Sequence, residues 1–167
     1  FQRGLLGLER GTIINIGGIA NISLLTAQGS SGYDTGPGNG LMDGWIQAHR
    51  GLPFDTDGDW ARSGTLLPDL LARFLADPYF HRPPPKSSGR DHFHHDWLNR
   101  HLLGIEAAAD VQRTLLELTA RSISDAILAQ PTGGEIILAG GGAKNAFLVE
   151  RINAHLAAYG YRCIPCP

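Results

Sequence analysis

The sequence has few of the features that mark membrane-spanning, disulfide-linked or nucleic-acid-binding proteins. No apolar run approaches the ~20 residues that a membrane-spanning helix needs. It has only two cysteines, Cys163 and Cys166, which excludes a disulfide framework and fits a reducing, cytoplasmic location. Only two of the 14 basic residues are lysines, and the arginines are scattered singly at a formal net charge of −2. Without a basic stripe to neutralise phosphates, we expect no nucleic-acid partner and no membrane partner.

What is present fits one folded domain. The 167 residues are 43% hydrophobic and 18% charged, as in a soluble globular protein with a sizeable core. The 22 glycines and 10 prolines are clustered rather than spread evenly. The sequence begins without methionine and ends just after an apparent strand, and we therefore expect it to be a fragment.

Hydrophobic patterning predicts five strands and several helices. The predicted strands cover residues 12–16, 19–25, 32–35, 135–139 and 161–164, and the predicted helices cover 41–49, 66–75, 97–103, 107–129 and 146–158. Asn39 is available to cap the first helix. The order is β-β-β-α, an insertion at about 51–104, then α-β-α-β. It predicts an α/β domain whose mixed sheet carries helices on both faces.

The first candidate site is the segment "NIGGIAN" between the first two strands. Gly17 and Gly18 allow positive φ and let a ligand approach the main chain. Successive N–H groups at such a bend can form an anion-binding concavity. A plain Gly-Gly hairpin turn explains the same residues, so the segment alone leaves both interpretations open.

The second candidate is "GYDTGPGNG". Asp34 ends a short predicted strand beside glycine-rich backbone and a helix N-terminus, which is a position suited to a general base. An Asx turn that only holds the loop is the alternative. Asp43, in the first turn of the helix, is interpreted as a structural charge that favours the helix dipole.

The third candidate is "EIILAGGGAKN", where a strand runs into Gly140, Gly141 and Gly142 before a helix. Asn145 replaces the last glycine of a dinucleotide fingerprint, and Arg162 stands where that motif expects an acid. Contact with a nucleotide remains plausible, whereas a dinucleotide site is poorly supported.

Three other patterns do not fit the sites they suggest. The aspartates of "FDTDGDW" alternate as in a calcium loop, but Trp60 and Leu66 replace the required glycine and glutamate, which favours a solvated turn. The spacing of His92, His94 and His95 fits no standard zinc pattern. The C-x-x-C pair lacks both a following helix and further ligands.

Together the segments resemble a known family. The set comprises "NIGGIANISLL", "GYDTGPGNGLMDGW", "DGDWARSG", "DPYFHRPPPKSSGRDHF", "DVQRTLLELTARSI" and "LAGGGAKN". It is similar to the anhydro-N-acetylmuramic acid kinases of the sugar kinase/Hsp70/actin superfamily. The similarity extends from about residue 15 to about residue 152. It implies an actin-like ATPase domain of the ribonuclease H-like class.

The resemblance also implies an activity and its residues. The family opens the 1,6-anhydro bridge of 1,6-anhydro-N-acetylmuramic acid and phosphorylates O6 with ATP and Mg²⁺, in peptidoglycan recycling. Asp34 matches the catalytic aspartate. The residues that match the nucleotide-binding segments are Gly17, Gly18, Asn21, Gly140, Gly141, Gly142 and Asn145, and Gly36, Gly38 and Asn39 are candidate substrate contacts. Lys86, Ser88 and Arg90 lie in a family-typical loop without an assigned role.

The family is roughly twice as long as this sequence. We therefore expect residues 1–167 to be the second half of a two-domain kinase and to be inactive alone, although the full-length protein is expected to form homodimers. Another sugar kinase of the same superfamily, or a non-catalytic nucleotide-binding half-domain, would use similar glycine loops.

Overall fold

A computed structural model describes residues 11–88, 92–130 and 135–166. Its strands are β1 (Gly11–Ile16), β2 (Ile19–Thr26), β3 (Gly29–Pro37), β4 (Glu135–Ala139) and β5 (Cys163–Pro165). They form one sheet in the order β3-β2-β1-β4-β5. The three consecutive strands β1, β2 and β3 pair antiparallel through short turns, whereas β4 and β5 follow helices and pair parallel. The predicted mixed sheet is confirmed.

The α-helices follow the order predicted from the sequence, with one addition, the short helix at residues 59–63. They are α1 (Gly40–Arg50), α2 (Asp59–Ser63), α3 (Pro68–Leu75), α4 (His95–His101), α5 (Ala108–Leu128) and α6 (Ala146–Leu156). The longest, α5, contains no glycine or proline. Gly51 adopts the left-handed conformation that ends α1. In the part of the chain that the structure describes, the insertion predicted at about 51–104 holds three short α-helices, α2, α3 and α4.

Three of the boundaries that differ from the sequence prediction, and one predicted cap, have identifiable physical reasons. The third strand begins at residue 29 rather than 32, because an edge strand needs only backbone pairing and Ser30 and Ser31 face solvent. α3 begins at Pro68, which is suited to the first helical position. α4 begins two residues early because the His94 imidazole accepts the Asp96 amide at 3.0 Å. Asn39 precedes α1, but its side chain makes no capping hydrogen bond.

The two faces of the sheet differ in what covers them. Ile14, Ile16 and Ile22 belong to the main core, with apolar residues from all six α-helices. The opposite face carries a small cluster of Ile13, Leu25 and Ile137. The helices within the described ranges thus pack on one face, and helices on the second face stay a prediction. No helix in the described ranges is both long and apolar enough to cross a membrane.

A buried carboxylate links α5 to α6. The side chain of Glu117 is 3% exposed and receives hydrogen bonds from Arg113 at 2.7 Å, from Arg151 at 3.0 Å and from His155. Burial opposes ionisation, but these three donors outweigh it and lower the pKa of Glu117 to about 2. The cluster therefore fixes α6, and with it the loop that precedes α6.

We expect Glu117→Gln to destabilise the fold by about 3 kcal/mol at pH 7, because it leaves buried cations without their carboxylate. The stabilisation is present above the ordinary pKa of 4.5 and is lost as the pH falls towards 2, so the two proteins should converge in acid. Urea unfolding at several pH values measures this difference. Glu150→Gln is the control, because its exposed pair with Arg62 should change stability by no more than about 0.5 kcal/mol. Equal losses of stability in Glu117→Gln and Glu150→Gln would contradict the role of Glu117 as a buried, paired carboxylate.

Candidate nucleotide and catalytic site

Three glycine-bearing segments meet at one end of the sheet. β1 and β4 are parallel neighbours, so the turn after β1 and the loop after β4 leave the same edge. The start of α1 lies against both: the Asn39 amide donates to the Gly17 carbonyl at 2.8 Å, and its side chain lies beside Gly141. The sequence placed these segments in separate motifs, and the structure brings them together.

Gly17 and Gly18 form the turn of a hairpin in which Ile16 pairs with Ala20. Neither glycine has the positive φ that the sequence suggested. Their carbonyls accept the amides of Gly38, Asn39 and Gly40 at 2.8–3.2 Å, so these amides at the start of α1 are not open to an anion. Gly18 itself is exposed, and a side chain there would meet nothing within 4 Å. The hairpin interpretation is correct, and the exposed tip still leaves room for a ligand.

The loop after β4 is shaped by close backbone contact. Gly140 has φ +84°, and a Cβ there would lie 2.7 Å from the Ile16 carbonyl oxygen and 2.8 Å from Asn15 Oδ1. A side chain at Gly142 would collide with Ile16, whereas Gly141 is exposed. Asn145 caps α6 by accepting the Leu148 amide at 3.0 Å, so the structure gives it a local role.

A cleft of about 500 Å³ lies beside this loop. Its lining combines the loop, the start of α1 and the first residues of the insertion: Asn39, Asp43, Phe54, Asp55, Thr56, Asp57, Gly141, Gly142, Lys144 and Asn145. The sequence did not single out Phe54, Asp57 or Lys144 as site residues. No local pattern in the sequence marks these three residues as cleft residues. Their place in the cleft follows from the strand order, which brings the loop after β4 next to the start of α1.

Two aspartates of the cleft differ from their sequence interpretation. Asp55 is buried rather than solvated, and its carboxylate accepts the amides of Trp60 and Ala61 at 2.9 and 3.0 Å and the side chain of Gln112 at 3.3 Å. Asp43 is half-buried beside it, and burial, with the Asp55 charge second, raises the pKa of Asp43 to about 6. Burial and the charge of Asp55 therefore disfavour the ionised form of Asp43, an effect that the helix-dipole interpretation does not include.

Asp34 lies on the sheet face opposite the main core. It pairs with Asn21, which pairs with Asn15, so three polar side chains cross β3, β2 and β1 in one row. The row ends beside Gly140, about 14 Å from Asp34 at the usual strand spacing. Asp34 is part-exposed; its Oδ2 accepts the Ser88 amide at 3.2 Å and the Ser87 hydroxyl at 3.4 Å, and no described residue donates to Oδ1.

The candidate substrate glycines have packing roles. A Cβ at Gly36 would lie 2.9 Å from the Phe80 ring, and one at Gly38 would collide with the Gly17 carbonyl. Both residues are buried, whereas Asn39 borders the cleft. Substrate contact by Gly36, Gly38 or Asn39 stays a prediction.

The remaining patterns have local partners. His92 bonds to Asp77, His94 caps α4 and His95 lies 2.9 Å from Asn99. Within the described ranges no three His, Cys, Asp or Glu side chains are grouped to hold a metal. Cys163 is buried and Cys166 is partly exposed, both as free thiols. Arg90 lies outside the described residues.

The strand order, with glycine segments at the ends of β1 and β4, defines a domain of the actin-like ATPase fold. Ethanolamine utilization protein EutJ from Carboxydothermus hydrogenoformans matches 98% of this chain and 46% of its own, with TM-score 0.51 and 15% identity. The activator of the 2-hydroxyisocaproyl-CoA dehydratase from Clostridium difficile, solved with bound ADPNP, matches 95% of this chain and 54% of its own, with TM-score 0.55 and 14% identity. These likenesses confirm the predicted fold class.

The chain belongs to the anhydro-N-acetylmuramic acid kinase family, because the model of that family matches residues 6–162. It is 53% identical over 144 residues to the anhydro-N-acetylmuramic acid kinase of Sulfurovum sp. (strain NBC37-1). That stretch is 84% of this chain and 40% of the relative, so the chain spans about two fifths of the relative's length. The resemblance seen in the sequence is confirmed.

The pKa of Asp43 leads to a prediction about stability. A raised pKa means that ionising Asp43 opposes folding, so its contribution becomes less favourable as the pH rises from about 4 to 6. We expect Asp43→Asn to raise the thermal midpoint at pH 8 and to leave it unchanged at pH 4. Thermal unfolding followed by circular dichroism at both pH values measures the two shifts.

Asp69→Asn is the matched control, because Asp69 also lies in the first turn of a helix but is exposed. Loss of its charge should lower the midpoint slightly at pH 8, since an exposed carboxylate there favours the helix dipole. An Asp43→Asn variant that behaves like Asp69→Asn would contradict the effect of burial.

Proposed function

We propose that the protein containing this chain phosphorylates 1,6-anhydro-N-acetylmuramic acid with ATP and forms N-acetylmuramic acid 6-phosphate, in peptidoglycan recycling. The observation that carries this proposal is the placement of Asp34. Its carboxylate is held through one oxygen, lies on the face opposite the main core, and shares a polar row with the loop at Gly140. Family membership supports the substrate class.

The chemistry requires a base at this position. Water is a poor nucleophile at neutral pH. A carboxylate must therefore accept a proton from the water molecule while the water oxygen attacks C1 of the sugar. The C1–O6 bond then breaks and O6 keeps the electron pair. O6 attacks the γ-phosphorus of ATP, and ADP leaves. We assign proton acceptance to Asp34 Oδ1, since Oδ2 is already occupied.

The nucleotide is assigned to the cleft beside Gly140–Gly142. Exposed backbone at Gly141 and at the hairpin tip of Gly18 can approach phosphates closely, and Asn21 extends the polar surface towards Asp34. Phosphoryl transfer needs positioning and charge neutralisation more than covalent help from the protein. The roughly 14 Å of three strand spacings would leave room for both the phosphate chain and the sugar between the loop and Asp34.

The carboxylates of the cleft fit a magnesium ion. Mg²⁺ takes one or two carboxylates together with phosphate oxygens. Among the described cleft residues, the carboxylates of Asp43 and Asp57 accept no side-chain hydrogen bond, so these two would hold it. When bound, the ion would neutralise charge on the transferring phosphoryl group.

The chain is proposed to be one domain, and the second half of a two-domain enzyme. Because the active site of an actin-like kinase lies between two domains, the described residues would supply one wall. A cytoplasmic homodimer is the proposed state of the whole protein.

We expect the isolated chain to bind ATP weakly in calorimetric titration and to release no ADP when the anhydro-sugar is added. Turnover by the isolated chain would contradict the two-domain proposal.

The catalytic assignment is tested in a chimera in which this chain replaces the matching segment of the Sulfurovum relative. We expect Asp34→Asn to lower kcat at least ~10³-fold, since a general base and its charge are lost, while the Kd for ATP changes less than about twofold. A coupled ADP-release assay and calorimetry measure the two quantities. Asp125→Asn, which removes an exposed carboxylate on α5, is the control and should leave both unchanged.

Three results would redirect the proposal. Retained turnover in Asp34→Asn would place the base elsewhere. Phosphorylation of glucose or N-acetylglucosamine without ring opening would indicate another sugar kinase of the same fold. ATP binding without turnover of any sugar would indicate a non-catalytic nucleotide-binding protein.

A further inference from the structure

Asp34 occupies an unusual position for a strand residue. β3 is one of the two edge strands of the described sheet, and its register with β2 shifts between Ala20 and Asn21, next to the Asp34 pair. At such a bulge the ladder is interrupted and the main chain needs other partners. A candidate base on a bulged edge strand would therefore be poorly fixed by the sheet alone.

The segment from Asp77 to Ser88, which we call the edge turn, supplies these partners. The Asp34 amide donates to the Lys86 carbonyl at 3.0 Å, and the Asp34 carbonyl accepts the Tyr79 hydroxyl at 2.6 Å. The Ser88 amide binds the carboxylate at the same time. The edge turn thus holds Asp34 at its amide, its carbonyl and one side-chain oxygen.

Tyr79 is itself rigidly held. It is 1% exposed and lies edge-on to the rings of Phe80 and Phe93, at centroid distances of 6.0 and 5.5 Å. Its amide donates to Asp77, whose carboxylate also receives the Trp97 indole at 2.7 Å. Burial, with the Asp34 charge second, raises the pKa of Tyr79 to about 12, so the hydroxyl remains a donor at neutral pH.

Lys86 closes the edge turn on Tyr79. Its ammonium donates to the Tyr79 carbonyl at 3.1 Å and lies 4.8 Å from the centre of the Tyr79 ring. The same residue offers its own carbonyl to the Asp34 amide. Tyr79 and Lys86 therefore bind each other, and each also forms a hydrogen bond with the main chain of Asp34.

We propose that Tyr79 and Lys86 are positioning residues for Asp34: they hold its main chain so that Oδ1 faces the sugar while Oδ2 stays bound to the edge turn. The inference rests on the proposed role of Asp34 as the base, and it gives Lys86 and Ser88 the function that the sequence left open. A misplacement of about 1 Å at a reacting group can cost on the order of 10²-fold in rate, so a hydrogen bond to the backbone of the base can matter for catalysis.

The test compares two tyrosine-to-phenylalanine variants, of which only one removes a hydrogen bond to Asp34. Tyr79→Phe removes the hydroxyl bound to Asp34 and keeps the ring. Tyr33→Phe removes a hydroxyl one residue away along β3, which accepts from Gln130 and does not touch Asp34. In the chimera we expect Tyr79→Phe to lower kcat about 10-fold or more with the KM for ATP within twofold, and Tyr33→Phe to leave kcat unchanged.

A second pair of variants keeps the inference testable if Tyr79→Phe does not fold. Lys86→Met removes the ammonium but keeps the carbonyl that binds Asp34, and should lower kcat several-fold, whereas Lys86→Arg should restore it. In the isolated chain, ¹³C NMR of the Asp34 carboxyl group should show a changed chemical shift in Tyr79→Phe and none in Tyr33→Phe.

The outcomes separate this inference from the proposed function. If Asp34→Asn is inactive but Tyr79→Phe and Lys86→Met both keep full kcat, the positioning role is overturned and the base remains. Parallel losses of kcat and ATP affinity, or the same loss in Tyr33→Phe, would reveal a general effect on folding and also overturn it. If Asp34→Asn remains active, both proposals fall together.

Discussion

The parallel pairing of β1 with β4 is the constraint on which the site depends. It brings the turn at Gly17 and the loop at Gly140 to one edge, although more than 120 residues separate them in the chain. The two segments then approach so closely that Gly140 and Gly142 lie against Ile16. α1 joins them because the hairpin carbonyls accept its first amides. The cleft, and the half-buried Asp43 within it, exist because these three contacts are made together.

The two faces of the sheet differ in their side chains and in what packs against them. The face with Ile14 and Ile22 packs against the helices, whereas the opposite face carries Asp34, Asn21 and Asn15. A period-two strand gives both properties to the same segment, because alternate residues point in opposite directions. The asparagines among the isoleucines of "INIGGIANIS" are thus the polar side of a strand pair that is apolar on its other side.

Much of the fold could be predicted from the sequence, because its signals are local. Isoleucine-rich runs bounded by glycine, and the stretch 107–129 without Gly or Pro, predicted strands and a long helix close to those observed. The candidate site was only partly predictable. Asp34 and the glycine loops stand in motifs, but Asp43, Phe54 and Lys144 join the cleft only through strand order. Asp55 was interpreted as solvated because no local pattern reveals that Trp60, Ala61 and Gln112 would bury and satisfy it.

The contacts that fix Asp34 also bear on how the chain avoids unwanted association. An edge strand exposes unpaired N–H and C=O groups to which a strand of another molecule can add. At Asp34 both groups are already bound, by Lys86 and by Tyr79. Intermolecular strand addition along β3 is therefore blocked at the bulge by the same two hydrogen bonds that hold the main chain of Asp34 in place.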